Sequence, residues 1–101
     1  MKIRTLAFLG LMGMLVYIPL QAGDAGAGAS TYNARGCVSC HGVSGKKPVA
    51  NHPVIGGKSQ EYIIGELNKF RTGVRDNLIM MHAINLSDAD VRNLAAYLES
   101  Q

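Results

Sequence analysis

The stretch Cys37-Val38-Ser39-Cys40-His41 holds both cysteines of this 101-residue chain, two residues apart, with a histidine directly after the second. The length allows one compact domain, and 48% hydrophobic residues exclude a disordered protein. A domain this small is marginal on its hydrophobic core and commonly needs a disulfide, a metal or a cofactor to hold it together. The rest of the fold must therefore be arranged around whatever these five residues hold.

The first 22 residues read as something other than fold. Lys2 and Arg4 make a short basic start, and Leu6 to Leu20 is an uncharged, largely apolar run interrupted near its end by Pro19. A membrane span needs about 20 apolar residues, so this run suits the core of a secretory signal peptide instead. Small residues at Ala22, Gly23 and Ala25 offer cleavage points, with Ala22 favoured because Gly23-Asp24 reads as a helix start. The expectation is a signal peptide over 1–22, a single domain over 23–101, a periplasmic location and no stable membrane insertion after cleavage. Removing Lys2 and Arg4 takes Lys and Arg from 10 to 8 against 7 Asp and Glu, so the formal charge falls from +3 to +1. The basic pI therefore says little about nucleic acid, and no nucleic-acid partner is expected.

Two close cysteines serve four chemistries: a structural disulfide, a redox dithiol, half of a zinc site, or covalent haem attachment. The usual zinc modules would need a second ligand pair, which the chain lacks. A thioredoxin-like dithiol needs a βαβ frame, and no strand pattern is visible. A disulfide leaves His41 unexplained. Haem attachment explains all three residues: Cys37 and Cys40 add to the two vinyl groups, and His41 is placed as the proximal iron ligand. In bacteria such attachment is completed outside the cytoplasm, which agrees with the export signal. The cofactor expected is one covalent haem c.

A six-coordinate iron needs a second ligand on the opposite face, and the candidates are Met80, Met81, His52 and His82. His52 sits close after His41 in a Gly/Pro-rich loop, where a partly exposed loop histidine is the plainer reading. The helical pattern is simple. Asp24 caps a first helix running from Ala25 to Tyr32 and beyond. Ser59 to Arg71 puts Ile63, Ile64, Leu67 and Phe70 on one face, and Gly73 stops it. Ser87 with Asp90 makes a capping box ahead of Val91, Leu94, Ala95 and Leu98. Residues 42–57 carry too many glycines and prolines for a helix, and a loop that long usually has work to do. The end of that loop, His52 to Ser59, looks like a phosphate-binding loop but lacks its first glycine and preceding strand.

In order along the chain, the pieces Arg35-Gly36-Cys37-Val38-Ser39-Cys40-His41-Gly42, Pro53-Val54-Ile55-Gly56-Gly57, Tyr62, Phe70 to Arg75, Met80-Met81, Leu86 to Asp90 and Leu94 to Leu98 resemble the class I c-type cytochromes. The likeness is greatest to small bacterial monohaem proteins and to halves of dihaem ones. It implies an all-α fold, the small cytochrome c fold, with three main helices plus loops wrapped round one covalently bound haem. The two terminal helices would cross with Tyr97 near the contact. It also implies a Met thioether as sixth ligand, and loop lengths in the shorter relatives favour Met81 over Met80. Pro53 matches the position whose carbonyl accepts a hydrogen bond from the proximal histidine, which would fix the tautomer of His41.

With both axial positions filled, iron can do little but change oxidation state. The reading is an electron carrier rather than an enzyme, exchanging electrons with redox partner proteins at an exposed haem edge flanked by Lys46, Lys47 and Lys58. The alternatives are a cytochrome subunit of a larger oxidoreductase, such as one oxidising a sulfur compound, or a five-coordinate haem that binds gas or peroxide.

Overall fold

The structure is a computed structural model that describes residues 22–101. Four α-helices follow in order: α1 (Ala25–Ala34), α2 (Cys37–His41), α3 (Gln60–Arg71) and α4 (Asp88–Glu99). Short 3₁₀ stretches cover Val43–Gly45 and Ile79–Asn85, and no strand occurs among the described residues. The all-α expectation is met. The signal-peptide expectation falls almost wholly on residues outside those described.

Each long helix begins where its capping residue dictates. The Asp24 carboxylate accepts from the Ala27 N–H, the Ser59 hydroxyl from the Tyr62 N–H, and the Ser87 hydroxyl from the Asp90 N–H. In the last case the Asp90 side chain accepts in return from the Ser87 N–H, closing the box. Helix α3 stops just before Gly73, whose φ of +80° is a left-handed conformation that a helix end needs and a side chain resists.

Helices α1 and α4 cross at small residues. A Cβ on Gly28 would run into the Asn93 carbonyl of α4 and meet the Tyr97 Cβ at 2.8 Å, so only glycine lets the two backbones approach so closely. The Asn93 side chain also accepts from the Asp24 N–H at 2.8 Å, and the rings of Tyr32 and Tyr97 lie 5.4 Å apart at the crossing. Behind it the core gathers Tyr32, Ile63, Ala83, Leu86, Val91, Leu94, Ala95 and Leu98. Burying each of the larger aliphatic side chains stabilises the fold by about 1.5–3 kcal/mol. All of them except Tyr32 come from α3, from α4 or, in the case of Ala83 and Leu86, from the segment that precedes α4. The core thus backs one wall of an open cavity, and α2 and the loop after it form the facing wall.

Candidate functional site

The cavity, counted with the open space at its mouth, has an empty volume of about 1250 Å³. Apolar side chains from α3, α4 and the segment joining them line most of it: Ile63, Leu67, Phe70, Ala83, Leu86, Leu94 and Leu98. Helix α2 presents Cys37, Cys40 and His41 to the same space. Gly36 starts that helix in the left-handed region at φ 79°, and Gly42 ends it at φ 80°. The five motif residues therefore form one isolated helical turn, which places both thiols and the imidazole along a single edge of the cavity.

His41 is buried, and its Nδ1 lies 2.9 Å from the Pro53 carbonyl oxygen. With the proton on Nδ1 the ring donates to that oxygen, and Nε2 keeps its lone pair for a ligand. Residues 42–57 are thus a support for His41, turned by Gly45 and Gly56, whose N–H groups and that of Ile55 close the loop on itself. The Tyr32 hydroxyl fixes its start by donating to the Gly42 carbonyl at 2.6 Å, and burial pushes the Tyr32 phenol up to about 12. Both cysteines are free and half-buried. Burial raises the Cys37 thiol above its ordinary range. No cluster of three or more His, Cys, Asp or Glu suited to a metal ion occurs among the described residues.

On the distal side the structure separates the two methionines. Met80 is half-buried, packs against the core and lines the cavity. Met81 is 50% exposed and is not part of the lining. The reason is the 3₁₀ geometry of Ile79–Asn85: at three residues per turn, neighbours diverge by about 120°, so only one of an adjacent pair can face inward. The Asn77 side-chain carbonyl sets the register by accepting from the Ile79 N–H at 2.8 Å and the Met80 N–H at 3.3 Å. Loop lengths favoured Met81; in this structure Met80 is the methionine of the pair that lines the cavity. His82 belongs to the same segment, and its side chain lies outside the described residues.

His52, read as a loop residue, lines the cavity on the His41 side with ring centroids 6.0 Å apart. It stands beside the proximal ring rather than across from it. The sequence reading also passed over Arg35, Glu66 and Arg75, which bring charge to the rim of the cavity.

An all-helical chain that brings two thiols, a carbonyl-oriented imidazole and a thioether to one large apolar cavity defines a protein built round a covalently attached haem. The residues fit that group in polarity and donor set. The chain belongs to the cytochrome c family: the family profile, Cytochrome c, matches residues 25–101. Membership carries covalent haem c, for which Cys37 and Cys40 have the required spacing.

The chain is similar to cytochrome c4 of Pseudomonas aeruginosa, at 36% identity over 100 residues that cover 98% of this chain and 47% of the relative. It is likewise 36% identical over 84 residues to cytochrome c-554(548) of Halomonas halodenitrificans, covering 79% of this chain and 99% of that one. A thiosulfate dehydrogenase electron acceptor of Thiomonas intermedia is 36% identical over 78 residues, covering 75% of this chain and 36% of the relative. Among solved structures, that of Acidithiobacillus ferrooxidans cytochrome c4 superposes with a TM-score of 0.71 at 30% identity, over 82% of this chain and 53% of that one. The chain spans about half the length of the cytochromes c4 it matches.

Proposed function

We propose that this chain is an exported electron carrier, with residues 1–22 removed as a signal peptide and the 23–101 domain working in the periplasm. The haem bound there supplies a one-electron Fe(III)/Fe(II) couple. Cys37 and Cys40 would anchor the group, and His41, through Nε2, and Met80, through its thioether, would hold its iron. The Pro53 carbonyl holds the His41 ring in one tautomer and makes it a stronger donor, while the Met/His pair raises the potential. The apolar walls from α3 and α4 exclude water. The observation that carries this reading is the placement of Met80 and the Pro53-oriented His41 on one cavity, two donors suited to filling both axial positions of a haem iron. Among the described residues no helix is long and apolar enough to cross a membrane.

The test is carbon monoxide binding by the reduced holoprotein. Slow or negligible binding supports a carrier with both axial positions filled. Rapid binding would mean an open coordination site and a role in gas or peroxide chemistry. A second reading, service to a sulfur-oxidising enzyme, draws support from the relative named a thiosulfate dehydrogenase electron acceptor; reduction of the holoprotein by such an enzyme with thiosulfate would establish it.

Docking of an acidic partner falls to Lys46, Lys47 and Lys58, all exposed. Lys46 donates to the Gln101 carbonyl, and the Lys58 ammonium lies 5.7 Å from the centre of the Tyr62 ring, so both stand in defined positions. Reversing charge at Lys46 and Lys47 is expected to slow second-order electron transfer at low salt and to have little effect at high salt. An unchanged rate at low salt removes steering from the account.

A further inference from the structure

The segment from Thr72 to Ile79 leads from α3 to Met80, and all of its residues are exposed. Val74 and Leu78 are 75% and 82% exposed. Burial therefore does little to fix the lead-in to Met80, and the segment is held instead by Arg75. Its backbone N–H donates to the Lys69 carbonyl at 2.9 Å. Its guanidinium pairs with the Glu66 carboxylate and lies over the Phe70 ring, 4.6 Å from its centre. Glu66 is braced in turn by the Lys69 ammonium at 2.8 Å. Glu66, Phe70, Arg75 and Met80 all line the cavity, so this contact sits at its rim, between the rigid helix α3 and the strap that ends in the thioether.

We infer that Arg75, clasped by Glu66 and Phe70, is the latch that keeps the Met80 strap closed over the site, a positioning residue for the distal ligand. The inference rests on Met80 as that ligand. Without the clasp the strap keeps its Asn77 turn and its core contacts at Ala83 and Leu86, but its lead-in is free to swing outward, and the open state gains population. An added ligand that competes with the thioether for iron then binds with higher apparent affinity in proportion to that population.

The experiment is an imidazole titration of the oxidised holoprotein, followed by loss of the far-red absorption band of Met sulfur on iron(III). Arg75→Gln loses both the ion pair and the ring contact, and the apparent imidazole affinity is expected to rise about fivefold. Glu66→Gln loses only the ion pair and is expected to give about a threefold rise that fades in high salt. Arg75→Lys keeps the charge and gives the smallest effect, so it reports even where Arg75→Gln folds poorly. The double variant Glu66→Gln/Arg75→Gln should exceed Arg75→Gln by little, because one contact cannot be lost twice. If Glu66→Gln leaves the affinity unchanged while Arg75→Gln raises it, Arg75 acts on the bound group directly and the latch is overturned. A double variant equal to the product of the singles overturns it as well. Persistence of the far-red band in Met80→Ala overturns the ligand assignment and the latch with it; loss of that band with unresponsive Glu66 variants overturns the latch alone.

Discussion

Replacing Tyr32 with Phe removes one oxygen from the centre of the fold and should show how the α1 crossing supports the proximal loop. The ring is 1% exposed and would stay in place, so packing changes little. What is lost is the 2.6 Å hydrogen bond from its hydroxyl to the Gly42 carbonyl, the residue immediately after His41. The Gly42 carbonyl keeps the Gly45 N–H at 3.0 Å, so the loss is that of one hydrogen bond, about 0.5–1.5 kcal/mol, and the short, buried contact puts it at the upper end, about 1.5 kcal/mol. For a domain of this size each kcal/mol moves Tm by about 4–8 °C.

The same hydroxyl gives the prediction a second arm. Burial pushes the Tyr32 phenol up to about 12 from its ordinary value of 10.0. The folded state therefore holds the phenolic proton more tightly than the unfolded chain does. That preference is fully present below pH 10 and is lost as pH rises through 12, amounting to about 1.4 kcal/mol lost by pH 11. Phe cannot titrate, so the advantage of the natural protein over Tyr32→Phe should shrink from about 1.5 kcal/mol at pH 7 to nearly nothing at pH 11. Guanidinium unfolding of the two proteins at both pH values measures this gap. A gap that is absent at pH 7, or that holds its full size at pH 11, would refute the reasoning.

Gly28→Ala pushes a methyl group into the Asn93 carbonyl and should cost about 1–3 kcal/mol of stability, read as a lower denaturant midpoint. Gly65→Ala is the contrasting case. A Cβ there meets nothing within 4 Å, and α3 should gain about 0.5–1 kcal/mol in the same assay. Ser87→Ala removes one half of the capping box of α4 and should cost about 1 kcal/mol. Cys37→Ala/Cys40→Ala should leave no haem on the polypeptide after denaturing electrophoresis and haem staining; retention of the stain would reject the attachment residues.

Much of this architecture was legible because its signals are local. Asp24, Ser59 and Ser87 announce helix starts through side-chain oxygens that accept from N–H groups of their own first turn, which needs no knowledge of the fold. Cys37, Cys40 and His41 are adjacent in sequence and function as one turn. The Pro53 contact to His41 came through family likeness, since spacing alone cannot say which carbonyl of a 16-residue loop faces a ring. Which of Met80 and Met81 faces the cavity was not legible, for a different reason. It depends on the phase of the 3₁₀ segment from Ile79, which is set by the Asn77 cap and by the anchoring of Ala83 and Leu86 in the core. Apolar residues on both sides of Met80 give no periodicity from which that phase could be read. Glu66 and Arg75 stayed hidden for a similar reason: on α3 a Glu followed three residues later by Lys69 reads as an ordinary exposed pair, and the guanidinium that completes it arrives only after the chain has turned at Gly73.

The central claim is that His41 and Met80 face each other across one covalently held haem. The direct measurement is the far-red absorption spectrum of the oxidised holoprotein beside Met80→Ala and Met81→Ala, all matured with haem-attachment machinery. The account expects a weak sulfur-to-iron(III) band in the natural protein and in Met81→Ala, and none in Met80→Ala. A band lost only in Met81→Ala would return the ligand to the exposed neighbour, and a natural protein with a high-spin spectrum and no band would contradict the six-coordinate carrier itself.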